Sequence, residues 1–260
     1  LQKAFFKYAL ADDIREWKEN IMENFIYGLN PVISALKGKR RPKKVLISET
    51  LKNKDVEKLC KENGIPFQFS TRKELDRITN GANNQGVVCY IDPFEYTSLR
   101  ELLSKVSDDS LLLVLDGIED PVNFGSLLRT SCCFGVDGVI IGKDRQVGMT
   151  PTVIKLSTGA SEHIDVVQVS NVAQTINELK KNGYWIVAAD GSGDRLYDQI
   201  DYNGKMAIVV GSEGRGVSRL VLERSDFVAR IPISGPVTSL NAAIAGAIFL
   251  SAAASFRNKK

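Results

Sequence analysis

The chain has 260 residues, with 34 Lys and Arg against 31 Asp and Glu and a formal net charge of +3. That length holds one large domain or two modest ones. Hydrophobic residues make up 43% and charged residues 25%, fractions ordinary for a soluble globular protein, and no apolar run reaches the roughly 18 residues of a membrane span. Four cysteines (Cys60, Cys89, Cys132, Cys133) form no Cys-x-x-Cys pattern and His163 is the only histidine, so no metal site is expected. Unpaired thiols without a signal peptide point to a reducing, cytoplasmic setting with no membrane partner.

Along the chain, residues 1–21 read as a charged, aromatic-containing helical extension. Its acids Asp12, Asp13, Glu16 and Glu19 argue against a mitochondrial presequence, and Met22 is an alternative start. Residues 22–91 alternate between strand and helix patterns. A short helix is predicted from Pro31 to Leu36, strands from Val45 to Ser48, Phe67 to Ser70 and Val87 to Ile91, and helices from Lys54 to Asn63 and Lys73 to Thr79. Residues 92–109 read as a linker opened by Asp92-Pro93, with a polar helix from Ser98 to Val106. Residues 110–260 begin with Leu111-Leu-Leu-Val-Leu115, an apolar strand of the kind buried on both faces of a parallel sheet. Further strands are predicted at Val139 to Ile141, Ile164 to Val169, Trp185 to Ala189, Met206 to Val210 and Phe227 to Ile231, and an Ala-rich helix from Leu240 to Phe256 closes the chain. The fold class is α/β, a small N-terminal domain followed by a doubly wound parallel sheet.

Charge divides with the domains. Residues 1–91 carry 17 Lys and Arg against 11 Asp and Glu, a net of +6, and residues 92–260 carry 17 against 20, a net of −3. Any grip on a polyanion therefore belongs to the first third. There Lys37, Lys39, Arg40, Arg41, Lys43 and Lys44 crowd around Gly38 and Pro42, either as a solvated helix end and loop or as a phosphate-binding cluster.

Three segments in the second domain join strand patterns to helix patterns, where open α/β sheets bind ligands. In Asn123-Phe-Gly-Ser-Leu-Leu-Arg129, Asn123 can cap a helix, Gly125 permits close chain approach, and Arg129 lies about one and a half turns in. Alone this reads as a capped helix with a solvent-facing arginine. In Val210-Gly-Ser-Glu-Gly-Arg-Gly-Val-Ser218 the glycines free backbone amides, yet no Gly-Lys-Ser/Thr follows and Glu213 would repel a phosphate. A neutral adenosine or a cationic sulfonium fits better than a nucleotide phosphate, with a structural turn as the alternative. In Ile231-Pro-Ile-Ser-Gly-Pro-Val-Thr-Ser-Leu-Asn241, Ser239 and Asn241 can cap the final helix.

In this order and spacing the three segments resemble the motifs of the SpoU/TrmH (SPOUT) family of RNA ribose 2′-O-methyltransferases. Tyr27-Gly-Leu-Asn-Pro-Val-Ile-Ser-Ala-Leu36 and Asn84-Gln-Gly-Val87 extend the likeness to the N-terminal domain of its bacterial RlmB-type branch, the 23S rRNA guanosine-2′-O-methyltransferases. The resemblance covers the chain from Tyr27 onward. Ile233-Ser234 and Pro236 depart from the usual third motif without removing a functional side chain.

The resemblance implies a deep trefoil knot in the C-terminal part of the sheet, an L30e/L7Ae-like RNA-binding N-terminal domain, and a homodimer with active sites at the subunit interface. It implies S-adenosyl-L-methionine as methyl donor, held through Gly211, Ile231 and Leu240. Glu213, Ser239 and Asn241 would complete the catalytic pocket, with Asn123 and Arg129 beside the target ribose. Lys39, Arg40, Arg41, Lys43 and Lys44 would contact ribosomal RNA. The expected reaction is methylation of a ribose 2′-hydroxyl in 23S rRNA, with a tRNA or other rRNA substrate, or a silent RNA-binding assembly factor, as alternatives. The family assigns the proton to the arginine of the first motif. Deprotonating a free guanidinium at pH 7 costs about 7.5 kcal/mol, so a cationic Arg129 that clamps a phosphate is the second reading. His163 is a rival base.

Overall fold

A computed structural model describes residues 24–38, 40 and 42–258. The extension 1–21, and Lys39 and Arg41 of the basic cluster, lie outside the described residues. The chain divides into two compact units between Phe94 and Glu95.

The first unit runs β1 (Phe25–Tyr27), α1 (Leu29–Lys37), β2 (Pro42–Ser48), α2 (Asp55–Glu62), β3 (Phe67–Ser70), α3 (Arg72–Ile78) and β4 (Val87–Ile91). Its sheet has the order β1-β4-β2-β3, with β2 and β3 parallel and the other pairs antiparallel. Pro31, Val32, Ala35 and Leu36 fall on one face of α1 and are buried, the pattern that fixes an amphipathic helix. Strand β1 was not expected; three residues are too few to show an alternating pattern, and pairing with β4 defines it. Strand β2 starts three residues earlier than its apolar run. Its ladder with β4 continues through Lys44↔Tyr90 and, past a register shift, to Pro42↔Ile91, and a proline at a strand's first position forfeits no needed donor. Lys43 and Lys44 are thus strand residues, not part of a loop. Lys43 pairs with Asp92 at 2.5 Å, and Lys44 Nζ donates to Gln68 Oε1 at 2.9 Å.

The second unit includes α4 (Leu99–Lys105), which lies within the predicted linker 92–109 and packs on the sheet. Leu102 is buried, and a Cβ at Gly138 would lie 2.6 Å from its Cδ2. The sheet comprises β5 (Leu111–Asp116), β6 (Gly138–Gly142), β7 (Asp165–Val169), β8 (Trp185–Ala189), β9 (Arg195–Leu196), β10 (Met206–Gly211) and β11 (Phe227–Arg230). All pairings are parallel, in the order β7-β6-β5-β10-β8-β11-β9. The other helices are α5 (Pro121–Cys133), α6 (Pro151–Leu156), α7 (Val172–Lys181), α8 (Arg219–Arg224) and α9 (Ala242–Arg257).

Every residue of β10, and Leu111–Leu115 of β5, is buried, which explains their unbroken apolar runs. On one face Leu112, Val114, Ile140, Ile186 and Val209 pack with Leu102, Ile176, Leu179 and Val221. The other face carries α5 and α9, which touch each other. Gly246 sets their spacing, because a Cβ there would meet Leu127 Cδ2 at 2.5 Å. At the far end of α9, Arg257 donates to the carbonyls of Tyr202 (3.1 Å), Asp109 (2.6 Å), Ser110 (3.2 Å) and Gly204 (2.7 Å). That side chain fastens the helix to the starts of β5 and β10. Because β10 lies directly between β5 and β8, the loops after β5 and β10 are neighbours at the C-terminal edge of the sheet.

Candidate functional site

The three motifs meet at that edge through one hydrogen-bonded triad. Asn123 Nδ2 donates to Glu213 Oε1 at 2.9 Å. Asn241 Nδ2 donates to Asn123 Oδ1 at 2.8 Å and also to Glu213 Oε1. Residues 118 positions apart in sequence thus share a carboxylate and two carboxamides. Asn123 is buried, and a buried amide needs its partners.

Each member is placed by local structure. Asn241 caps α9, its Oδ1 accepting from Ala243 N (2.9 Å) and Ile244 N (3.2 Å), so its Nδ2 is turned toward the other two motifs. Asn123 does not cap α5, contrary to the sequence expectation. Asp120 does, accepting from Val122 N at 3.1 Å with Pro121 in the first turn. An aspartate ahead of a proline is the stronger cap signal, and it frees Asn123 to face Glu213 from within the helix. Glu213 sits in a tight turn closed by Gly216 N donating to Ser212 O at 2.8 Å, with Gly216 at φ +66°. The turn's exit is tied to β5, because Asp116 Oδ2 accepts from Ser218 N at 2.7 Å.

Beside the triad lies a cleft between the ends of β8, β10 and β11 and the start of α9. Gly211, Glu213, Ile231, Ser239 and Leu240 all line it, with Asp190 and Phe249. Its only charged lining groups are the carboxylates of Asp190 and Glu213, so a phosphate would meet repulsion while a neutral nucleoside or a cation would not. Gly211 leaves the floor open to backbone contact, since its position has no room for a side chain. These features fit an adenosine bearing a sulfonium. Asp190 was missed by the sequence reading. An acid directly after the apolar run Trp185 to Ala189 is the same strand-end signal that marked the other loops.

Arg129 is not among the residues that line the cleft, whereas Ser239 is. Ser239 stands exposed on the cleft rim. Arg129 is exposed. It follows Asn123 by six residues, which places it about 9 Å further along α5 and about 120° around it. The triad and Arg129 are therefore on different faces of the helix. Arg129 belongs to a stripe with Val122, Ser126 and Cys133, of which Val122 and Cys133 are also exposed. His163 is exposed just before β7. It lies at the N-terminal edge of the sheet, opposite the triad of its own chain, and retained methyl transfer by His163→Ala is the result expected if it is not the base. Among the described residues, no group of three or more His, Cys, Asp or Glu could hold a metal ion, and no helix is long and apolar enough to cross a membrane. In the first unit, the Arg40 guanidinium stacks over the Phe94 ring at 5.4 Å.

A model of the SpoU rRNA Methylase family matches residues 110–251, and one described as RNA 2′-O ribose methyltransferase substrate binding matches residues 25–97. The Bacillus subtilis protein named "Putative TrmH family tRNA/rRNA methyltransferase YacO" is 41% identical over 87% of this chain and 93% of its own length. Among solved structures, the SpoU methyltransferase AviRb from Streptomyces viridochromogenes, in complex with AdoMet, has a TM-score of 0.78 at 20% identity, covering 94% of each chain. The A. aeolicus TrmH/SpoU tRNA modifying enzyme has a TM-score of 0.53 at 28% identity, over 62% of this chain and 81% of its own.

Proposed function

The chain belongs to the SpoU rRNA Methylase family, and we propose that it methylates a ribose 2′-hydroxyl of 23S rRNA, at a guanosine, as the RlmB-type branch does. The observation that carries the reading is the triad of Asn123, Glu213 and Asn241, which joins all three motifs beside an acid-lined, glycine-floored cleft. The first unit matches a substrate-binding model, whereas the tRNA-modifying relative aligns with only 62% of this chain. Both observations favour a ribosomal substrate over tRNA.

S-adenosyl-L-methionine, when bound, supplies a methyl group already activated by its sulfonium. Gly211, Ile231 and Leu240 would hold it through backbone groups, as their places around the cleft allow. Glu213, oriented by two amide donors, presents negative charge toward a sulfonium. Asn123 and Asn241 fix that carboxylate, and Ser239 at the rim is placed to meet the ribose. Arg129 holds the phosphate next to the target and orients the hydroxyl, whose proton passes to water or phosphate as its oxygen is methylated.

Since Arg129 lies off the triad's face of α5, a second copy of the chain supplies it in this reading, and the enzyme is a homodimer. The exposed apolar side chains Val122, Leu240 and Ile244 on or next to α5 and α9 support a surface covered by that copy. The knot and the L30e-like character of the first unit remain part of the same proposal.

The test is transfer of labelled methyl to unmodified 23S rRNA, 16S rRNA and bulk tRNA in parallel, with the position mapped by reverse-transcription stops at low dNTP. Label confined to a 23S ribose is expected; label on tRNA alone would reject the ribosomal reading. The basic cluster should serve RNA and not cofactor. Replacing Arg40, Lys43 and Lys44 together by Gln is expected to weaken rRNA binding about tenfold or more and flatten its salt dependence, with unchanged S-adenosylhomocysteine affinity by calorimetry. Equal loss of both affinities would mean a folding defect instead.

A further inference from the structure

Next to the cofactor cleft, a second recess shares Ser212 and Glu213 with it. Its lining includes Glu119, Asp120, Asn123, Glu213 and Arg215. Ser212 and Glu213 border both cavities, so a molecule in the recess would lie beside the carboxylate that also borders the cofactor cleft. The recess has three carboxylates and one cation. An RNA backbone brought to the triad from this side meets net repulsion unless that cation answers it.

The cation is committed elsewhere in the free chain. Arg215 Nη2 lies 2.8 Å from Glu119 Oε1, reaching from the loop after β10 to the loop after β5. Both side chains are more than 60% exposed, where an ion pair is worth little and is easily exchanged. Next to it, a Cβ on Gly214 would meet nothing within 4 Å, so the tip of the loop has room to move.

We propose that Arg215 is a substrate-positioning residue that exchanges Glu119 for a phosphate of the RNA, and that Glu119 restrains it until RNA arrives. The exchange replaces one anionic partner of the guanidinium by another, a phosphate that accepts two parallel N–H bonds. The freed Glu119 turns to solvent. This inference rests on the RNA methyltransferase reading and adds to it which loop grips the backbone beside the target.

A purely structural bridge and a restrained phosphate grip predict different signs. Were the pair only a latch between loops, Arg215→Ala and Glu119→Ala would break the same contact and do the same harm. As a restrained grip, Arg215→Ala should weaken binding of a 23S rRNA transcript, measured with S-adenosylhomocysteine present, by about three- to tenfold. Its slope of log K against log salt should become shallower by roughly 0.7–0.9, the loss of one phosphate contact. Glu119→Ala should tighten binding about two- to fivefold and leave the slope at least as steep. Equal weakening by both variants, or a wild-type slope for Arg215→Ala, would overturn the proposal. Methyl transfer by the wild-type chain is scored separately, so failure of the enzymatic reading is distinguishable from failure of the grip.

Discussion

Arg129→Ala is expected to lower methyl transfer by about 10²- to 10⁴-fold, with S-adenosylhomocysteine affinity and unfolding midpoint unchanged. The side chain is exposed on a stripe of α5 that carries no core residue, and surface truncations of that kind shift stability by about 0.5 kcal/mol or less. Arg129→Lys keeps the charge and loses the planar fork. Turnover close to the wild type would assign Arg129 a charge role alone, and turnover as low as that of Arg129→Ala would require the guanidinium itself. The helical offset between Arg129 and Asn123 adds a sharper experiment. Arg129→Ala and Glu213→Ala homodimers should each be inactive, whereas a mixed dimer should regain activity, because one of its two sites draws an intact Arg129 from one copy and an intact Glu213 from the other. A silent mixed dimer would sink the shared-site reading.

Gly211→Ala should be nearly as damaging by a different route. An added Cβ would lie 2.1 Å from Gly216 C, 2.2 Å from its O and 2.2 Å from Val217 N. All three are backbone atoms, and no rotamer change relieves them. The turn that carries Glu213 must shift by about 1 Å or more to restore contact distance, a displacement of the size that costs about 100-fold in rate when it misaligns a reacting group. Overpacking of this kind also costs roughly 1–3 kcal/mol of stability. Calorimetric titration with S-adenosylhomocysteine and urea unfolding should both register it. Gly214→Ala, where the new methyl meets nothing within 4 Å, is the matched control and should bind normally. Full cofactor affinity in Gly211→Ala would mean that the cleft floor lies elsewhere.

Legibility in the sequence followed the physics of each element. The central strands were plain because burial on both faces leaves an unbroken apolar run, as in Leu111–Leu115. The parallel edge at which the motifs gather followed from strands alternating with helices. Short elements defined by their partners were hidden, among them Phe25–Tyr27 and Arg195–Leu196. Lys43 and Lys44 fall outside the predicted strand Val45 to Ser48, because charge obscures a ladder that the backbone of β4 completes. At the site, Glu213 and Asn241 stood out by their neighbours. The bond between them and Asn123 did not, because no local pattern records a contact between residues 118 apart. Asn123 was assigned the cap that Asp120 makes, since both residue types suit the role and only the geometry separates them. The two faces of α5 were implicit in the spacing of Asn123 and Arg129, although a motif written as a string conceals rotation about the helix.

The distance between Asn123 and Asn241 along the chain also sets a timetable. Synthesis at about 5–20 residues per second separates their emergence by roughly 6–24 s. Throughout that interval α5 is present while α9, which packs against it and supplies Asn241, is not. Leu127, so close to Gly246 that a Cβ there would meet it at 2.5 Å, then has no partner from that helix. A nascent chain at that stage therefore has neither triad nor closed cleft. Maturation of this site waits on synthesis of the third motif.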